Sequence, residues 1–201
     1  MGREEHVTPA EKIRTEIRDG ALVVVIDNPP TAALATDVRA GIDRALSRAE
    51  SDPDIAGVVI TGEGAAFATG AGVSEDGTEA APSLADICDR IEASAKPVAV
   101  AIGGPALGGG LELALAAHAR IATSAARLGA PDITIGVVPN AGGTQRLPKV
   151  IGGVAALKLL LSGRAVRGPA AKKLGLVDLV EDEDIVSAAI DHVRRLADSD
   201  A

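Results

Sequence analysis

The amino-acid sequence predicts an α/β fold, in which short apolar strands alternate with helices. A β-branched run, Val98–Ile102, leads into a glycine-rich turn and then into a helix that begins near Gly108 and is apolar on every side. The dipeptide Asp19-Gly20 separates two strand-like segments and suits the type I′ turn of a β-hairpin. Strand and helix patterns alternate along the rest of the chain, which indicates right-handed crossover connections.

The other elements follow from hydrophobic periodicity and from turn residues. Residues 1–11 are polar and acidic, and we expect them to be loose. The glycine- and alanine-rich stretch 62–78 suits a backbone that closely approaches a ligand. No repeat or linker divides the chain, so residues 1–201 are expected to form a single domain. The patterns predict strands over residues 12–18, 21–27, 57–61 and 120–123, helices over 34–49, 83–94, 157–161, 169–174 and 184–197, and a loop over 129–136.

Composition narrows the classes of function. The formal net charge of -8 disfavours a nucleic-acid partner. Phe67 is the only aromatic residue, so the core is expected to be aliphatic. Cys88 is the only cysteine and cannot form an intrachain disulfide, and no apolar run approaches the length of a membrane span. With no signal-peptide pattern, we expect a cytoplasmic protein without a membrane partner.

Charge is distributed unevenly along the chain. Residues 93–177 contain ten Lys and Arg but only two acids, Glu112 and Asp132. A basic region that holds two isolated carboxylates suits an anionic ligand that is processed by acid–base chemistry. The alternative is that the basic residues, such as Lys158, simply form solvated helix faces.

Motifs of several other chemistries are missing from the sequence. It has no dinucleotide-binding or P-loop glycine pattern after a strand, and no G-x-S-x-G. His6, His118 and His192 lack the spacing of metal ligands, and we expect the His118 ring, at the end of an apolar helix, to contact carbonyls. Cys88 is expected to be an inert packing residue. The run 142–146 is expected to form a structural turn and a helix start rather than a phosphate loop.

Glu112 is the residue that needs explaining. It lies between Leu111 and Leu113 in the first turn of the predicted apolar helix. A carboxylate there interacts favourably with the helix dipole, which is a sufficient structural reason for it. Alternatively, desolvation raises its pKa towards neutrality and makes it an acid–base group.

Four segments carry a resemblance to a known family: Val-Val-Ile-Thr-Gly running to Phe-Ala-Thr-Gly-Ala-Gly (58–72), Ala-Leu-Gly-Gly-Gly-Leu-Glu-Leu-Ala (106–114), Leu-Gly-Ala-Pro-Asp-Ile (128–133) and Pro-Asn-Ala-Gly-Gly-Thr-Gln-Arg-Leu (139–147). In this order they resemble the crotonase family, the enoyl-CoA hydratase/isomerase superfamily. The resemblance extends over nearly the whole chain. It implies a crotonase-like spiral of ββα units that binds an acyl-CoA thioester.

The resemblance also implies roles for individual residues. The thioester oxygen would be held by the backbone N–H groups of Ala71 and Gly109, and a helix N-terminus supplies such donors. The first catalytic carboxylate falls on Glu112, and the second falls on Asp132, where hydratases usually carry Glu. Coenzyme A enters as part of the substrate, with no further cofactor and no metal. The positions expected to line the substrate site are Ala33, Ala68, Gly70, Gly72, Gly108, Pro139 and Asn140.

The sequence departs from the family pattern at several positions. Asp132 is one methylene shorter than Glu, which withdraws its carboxylate by roughly 1.5 Å. Gly72 stands where many relatives have Asp. Asn140 stands where hydratases usually have Gly and some isomerases have Asp. We also expect that the chain lacks the C-terminal helices with which most relatives cover the site and form trimers.

Three functional hypotheses follow. The first is a hydratase that uses Glu112 and Asp132 to add water to a trans-2-enoyl-CoA. The second is an enoyl-CoA isomerase that relies mainly on one carboxylate. The third is a non-catalytic acyl-CoA-binding protein. The resemblance implies assembly as a homotrimer or as a dimer of trimers.

Overall fold

The computed structural model describes residues 12–29, 32–70 and 82–199. The predicted hairpin is confirmed: β1 (Ile13–Arg18) pairs antiparallel with β2 (Ala21–Ile26). Between them Asp19 and Gly20 have φ angles of 51° and 78°, as a type I′ turn requires. The expectation of a loose segment over residues 1–11 lies outside the described residues.

The larger sheet has six strands in the order β1-β2-β3-β5-β7-β10. Every pair apart from the hairpin is parallel, so the predicted crossover connections are present. The α/β class is therefore confirmed. The four strands beyond the hairpin are β3 (Gly57–Gly62), β5 (Val98–Ile102), β7 (Ala119–Ala122) and β10 (Leu179–Val180).

A second sheet of four short strands was not predicted from the sequence. Its order is β4-β6-β8-β9, and its strands have two or three residues each, too few for a periodic pattern. The first three strands are parallel, so their carboxyl ends meet at one edge. The strands are β4 (Ala68–Thr69), β6 (Pro105–Leu107), β8 (Arg127–Gly129) and β9 (Val166–Arg167).

Seven α-helices are described, and for one of them only the start was predicted, within the run 142–146. This helix begins at Gly143 immediately after Gly142, which has a φ of 90°, and continues through Pro148 to Ile151. Asp132 lies in a 3₁₀-helix, Pro131–Ile135, rather than in the expected open loop. The α-helices are α1 (Thr36–Ser51), α2 (Leu84–Glu92), α3 (Gly109–Ala116), α4 (Gly143–Ile151), α5 (Gly153–Ser162), α6 (Gly168–Leu174) and α7 (Ile185–Ser199).

The larger sheet is covered on both faces by aliphatic side chains. Helices α1, α2 and α3 pack on one face, and α7 packs on the other through Ala189, Ile190 and Val193. Phe67 is completely buried among these aliphatic residues, as expected. Cys88 is also buried, and desolvation raises the pKa of its thiol to about 12. The expectation of an inert packing cysteine is confirmed.

Two hydrogen-bonded contacts fix the ends of helices α2 and α3. Ser83 caps α2 in a capping box with Asp86, as its position before the helix predicts. The expected contact of His118 with carbonyls is wrong, because its Nδ1 accepts a hydrogen bond of 3.0 Å from the Val98 N–H. The ring therefore ties the chain after α3 to the start of β5. Among the described residues, no helix combines the length and the apolar character needed to cross a membrane.

Helix α3 packs very closely on the smaller sheet. All eight of its residues are buried, which confirms the expectation for a helix that is apolar on every side. A Cβ atom added at Gly110 would lie 1.9 Å from the carbonyl oxygen of Ala68 in β4. Only glycine permits this distance between helix and strand.

We therefore expect Gly110→Ala to destabilise the protein by about 1–3 kcal/mol, because the overlap forces the helix away from the sheet. Gly153→Ala is the matched control: it also changes a glycine in the first turn of a helix, and a Cβ there meets no atom within 4 Å. This control should be neutral or stabilising by up to about 1 kcal/mol. Urea unfolding of both variants checks the difference, and equal midpoints would contradict the packing argument.

Candidate active site

The carboxyl ends of β4, β6 and β8 bring three backbone segments to the N-terminus of α3. The Gly70 N–H donates to the Leu107 carbonyl at 3.2 Å, and the Gly108 N–H donates to the Gly129 carbonyl at 3.0 Å. Gly108 has a φ of 55° and precedes the first helical residue, Gly109. The residues that the sequence placed at a ligand-binding turn therefore lie at one edge of the smaller sheet.

The first turn of α3 presents backbone donors at this edge. The first N–H groups of a helix have no intrahelical acceptor, and Gly109 is the first residue of α3. They form a preorganised positive region where an oxyanion can bind. The second predicted donor, Ala71, follows Gly70 in the chain but lies outside the described residues, as does Gly72.

Glu112 carries a carboxylate in an almost completely buried position. The residue is only 4% exposed, and its Oε1 accepts hydrogen bonds of 2.8 Å from the N–H groups of Ala141 and Gly143. Burial raises the pKa of Glu112, the two N–H groups oppose this shift, and the charge of Asp132 adds to it. The described residues provide no donor to Oε2, so one oxygen is anchored and the other is available.

The contact with Glu112 depends on glycine at position 143. A Cβ atom there would lie 2.9 Å from both Cγ and Oε1 of Glu112. Any larger residue would push the 141–143 segment away and break its hydrogen bonds to the carboxylate. The start of α4 therefore covers the Glu112 side chain. The expectation that the run 142–146 forms a turn and a helix start is confirmed, because α4 begins at Gly143.

Asp132 lies beside Gly108, the residue that directly precedes α3. Both of its carboxylate oxygens are within 3.8 Å of the position that a Cβ atom on Gly108 would occupy. Its Oδ2 is buried and has no hydrogen-bond partner among the described residues. A buried oxygen without a partner is costly, which is typical of a group kept for a ligand. The 3₁₀-helix holds the residue through its carbonyl, which accepts from the Val137 N–H at 3.1 Å.

Most of the other predicted lining residues meet at the same edge. Ala33 forms a β-bridge with Thr69, and its carbonyl accepts from the Asn28 side chain at 2.7 Å. Ala68 is buried in β4, and Gly70 and Gly108 adjoin it through β6. On the far side, Pro139 is half-buried and Asn140 is exposed, directly before the segment that contacts Glu112.

The basic region turns out to have several structural uses. Arg120 donates to the Ala117 carbonyl and pairs with Asp178, and Lys96 donates to the carbonyls of Asp52 and Ile55. These cations are not available to an anionic ligand, but they do not form solvated helix faces either: Arg120 is buried in β7, and Lys96 is half-buried just before β5. Lys158 is exposed, as expected of a solvated helix face.

Sequence reasoning missed the contribution of Arg146. This arginine is 6% exposed and bonds to Asp89 and Glu92 of α2 and to the Ala141 carbonyl. It lies in the 142–146 run, but nothing in the local sequence indicates carboxylate partners more than fifty positions away. Within residues 12–29, 32–70 and 82–199, no three His, Cys, Asp or Glu side chains are grouped so that they could hold a metal.

Two carboxylates beside a helix N-terminus define a candidate site for acid–base chemistry at a polarised carbonyl. The family model for enoyl-CoA hydratase/isomerase matches residues 16–201. The chain is 46% identical over 176 residues to the peroxisomal bifunctional enzyme of Danio rerio, a match that covers 87% of this chain. It is 41% identical over 165 residues to a probable enoyl-CoA hydratase of Bacillus subtilis, covering 78% of this chain and 64% of that protein.

Solved structures give the same result. The enoyl-CoA hydratase of Thermoplasma volcanium GSS1 is 35% identical with a TM-score of 0.82, covering 92% of this chain and 78% of that one. The enoyl-CoA hydratase of Bacillus anthracis is 29% identical with a TM-score of 0.85, covering 92% and 76%. This chain belongs to the enoyl-CoA hydratase/isomerase family. It spans 24% of the length of the bifunctional enzyme from Danio rerio.

The raised pKa of Glu112 implies that the stability of the folded protein depends on pH. Because the folded protein favours the protonated carboxyl, the contribution of Glu112 to stability falls as pH rises through its folded pKa. Glu112→Gln keeps an oxygen for the Ala141 and Gly143 N–H groups but never carries the charge. The melting temperature of this variant should match the parent below the ordinary carboxyl pKa and exceed it at neutral pH. A variant that melts below the parent at pH 7 to 8 would contradict this expectation.

Proposed function

We propose that the chain adds water to a trans-2-enoyl-CoA thioester. The observation that carries this proposal is the pair of carboxylates at one helix end: Glu112 lies in the first turn of α3, and Asp132 lies beside Gly108, which directly precedes that helix. Membership of the enoyl-CoA hydratase/isomerase family supports it. Coenzyme A would enter as part of the substrate, with no further cofactor.

The thioester carbonyl would bind where the Gly109 N–H emerges from α3, and Ala71 would supply the second donor. Donors fixed before charge develops stabilise the enolate without reorganisation, which is the largest contribution in reactions of this kind. The polarised carbonyl makes the β-carbon of the enoyl group electrophilic. The elements that fix Gly109 are the close packing of Gly110 on Ala68 and the Gly108–Gly129 hydrogen bond.

The two carboxyl groups would then divide the proton transfers. Glu112 would take a proton from water through Oε2 as the water oxygen bonds to the β-carbon, and its raised pKa strengthens it as a proton acceptor. Asp132 would give a proton to the α-carbon as the enolate collapses. The product is a 3-hydroxyacyl thioester, and one proton returns from Glu112 to Asp132 before the next turnover. The buried Oδ2 of Asp132, which has no other partner, supports its role as the proton carrier.

The short side chain of Asp132 favours a second candidate, an isomerase that moves a double bond using mainly Glu112. A carboxylate withdrawn by roughly 1.5 Å transfers a proton less efficiently. A third candidate is an acyl-CoA-binding protein without activity. Product analysis with crotonyl-CoA and with a 3-enoyl-CoA distinguishes the three.

We also propose a homo-oligomer, a homotrimer or a dimer of trimers, in the cytoplasm, with a peroxisomal location as the alternative that several relatives' names suggest. Support for self-association comes from large apolar side chains that are exposed on and around the 3₁₀-helix and α5. These side chains are Ile133, Ile135, Val137, Val138, Val154, Leu157 and Leu161.

Glu112→Gln should lower kcat by about 10²-fold or more while the affinity for acyl-CoA stays nearly unchanged, because a general base acts in the transition state. Steady-state kinetics with crotonyl-CoA and calorimetric titration with a saturated acyl-CoA measure the two quantities. An unchanged kcat would exclude Glu112 as the base.

Asp132 allows a gain-of-function test. If the shorter side chain only slows proton delivery, Asp132→Glu should raise kcat/KM on crotonyl-CoA, by up to about 10²-fold, and Asp132→Asn should abolish activity. The parent and both variants are compared at one pH, with melting temperatures as the folding control. Equal and negligible activity in all three, with tight acyl-CoA binding by the parent, would favour the non-catalytic candidate.

A further inference from the structure

Arg146 of α4 carries a buried charge that joins α4 to α2. Its Nε and Nη2 donate to Glu92 Oε2 at 2.9 and 2.7 Å, and Nη2 also donates to Asp89 Oδ1 at 2.5 Å. The Arg146 side chain is 6% exposed, whereas those of Asp89 and Glu92 are 76% and 49% exposed. The two carboxylates therefore neutralise the guanidinium from the solvent side.

The inner side of the same guanidinium contacts the loop over Glu112. Arg146 Nη1 donates to the Ala141 carbonyl at 2.9 Å, and the N–H of that same residue donates to Glu112 Oε1 at 2.8 Å. A Cβ atom on Gly142 would lie 2.1 Å from Nη1, so the 141–143 segment wraps closely around the guanidinium. One short segment thus links the charge of Arg146 to the anchored oxygen of Glu112.

We propose that Arg146 is a positioning residue for Glu112. It holds the 141–143 segment so that two N–H groups fix Oε1 and turn Oε2 towards the substrate. The consequence for catalysis rests on the proposed function, whereas the fixing of the segment does not.

The donor geometry explains why the position requires arginine. A planar guanidinium donates in several fixed directions, here to two carboxylates on one side and a carbonyl on the other. A lysine ammonium keeps the charge but is a point donor on a flexible stem. Arg146→Lys should therefore preserve much of the contact with α2 and lose the hold on Ala141.

Arg90 offers a matched control, because it also joins two helices through carboxylates. It joins α2 to α1 through Asp43, Ser47 and Glu50, with Nη2 at 2.9 Å from Glu50 Oε2. It is also a partly buried arginine between carboxylates, but it bonds to nothing in the 141–143 segment. Arg90→Gln thus removes a comparable clamp between helices away from Glu112.

The test compares Arg146→Gln, Arg146→Lys and Arg90→Gln in two measurements. Amide hydrogen exchange by NMR reports on the Ala141 and Gly143 N–H groups, and Glu112→Ala gives the exchange rate of these amides without their acceptor. Kinetics with crotonyl-CoA give kcat and KM separately. In both Arg146 variants we expect the two amides to exchange at least about tenfold faster, and kcat to fall by about 10²-fold with KM little changed. Arg90→Gln should change neither quantity.

Two results would overturn the proposal. One is unchanged exchange at Ala141 and Gly143 in a folded Arg146 variant, whatever its activity. The other is an equal acceleration of these amides in Arg90→Gln, which would show general loosening instead of positioning. If Arg146→Gln does not fold, Arg146→Lys decides by the same criteria. A parent without hydratase activity would contradict the proposed function alone, and the exchange measurement would still decide the role of Arg146.

Discussion

The two hydrogen bonds that Glu112 Oε1 accepts from Ala141 and Gly143 are the contact on which the candidate site depends. A carboxylate inside an apolar helix is costly to desolvate, and backbone N–H groups offset part of that cost. To supply these N–H groups, the chain must come back to α3 after β8 and the 3₁₀-helix, and Gly143 must stand where the backbone touches the Glu112 side chain. The order of the strands in the smaller sheet and the position at which α4 begins both bring the chain back to this point.

The elements that could be predicted are those whose signal is local. A few neighbouring residues suffice to predict β5, α3 and the Asp19-Gly20 turn. The predicted positions of these three elements agree with the structure. Strands of two or three residues carry no period, so the smaller sheet could not be recognised. The start of α4 was predicted from the run 142–146, but its continuation to Ile151 was not, because a proline such as Pro148 normally interrupts a helix.

The candidate site was predictable to a different extent at each carboxylate. Glu112 stands out as an acid among apolar residues, and its burial and raised pKa agree with the functional interpretation made from sequence. Asp132 was identified only through the family pattern, since a turn-forming Asp after Pro131 has an ordinary structural explanation. Arg146 could not be found, because its partners Asp89 and Glu92 are brought to it only by the tertiary fold. A buried arginine has no sequence signature of its own.

The buried thiol of Cys88 has a practical consequence. It faces the Glu112 and Arg146 region from α2, with a pKa near 12 and no exposed surface, and it is the only cysteine in the chain. Maleimide reagents need an accessible thiolate, so the native protein behaves as a cysteine-free background. A single cysteine introduced on the surface would accept a fluorophore or spin label at one defined place. Two such cysteines would carry a pair of labels, so that a distance across the molecule could be followed during ligand binding without first replacing a residue that fills the core.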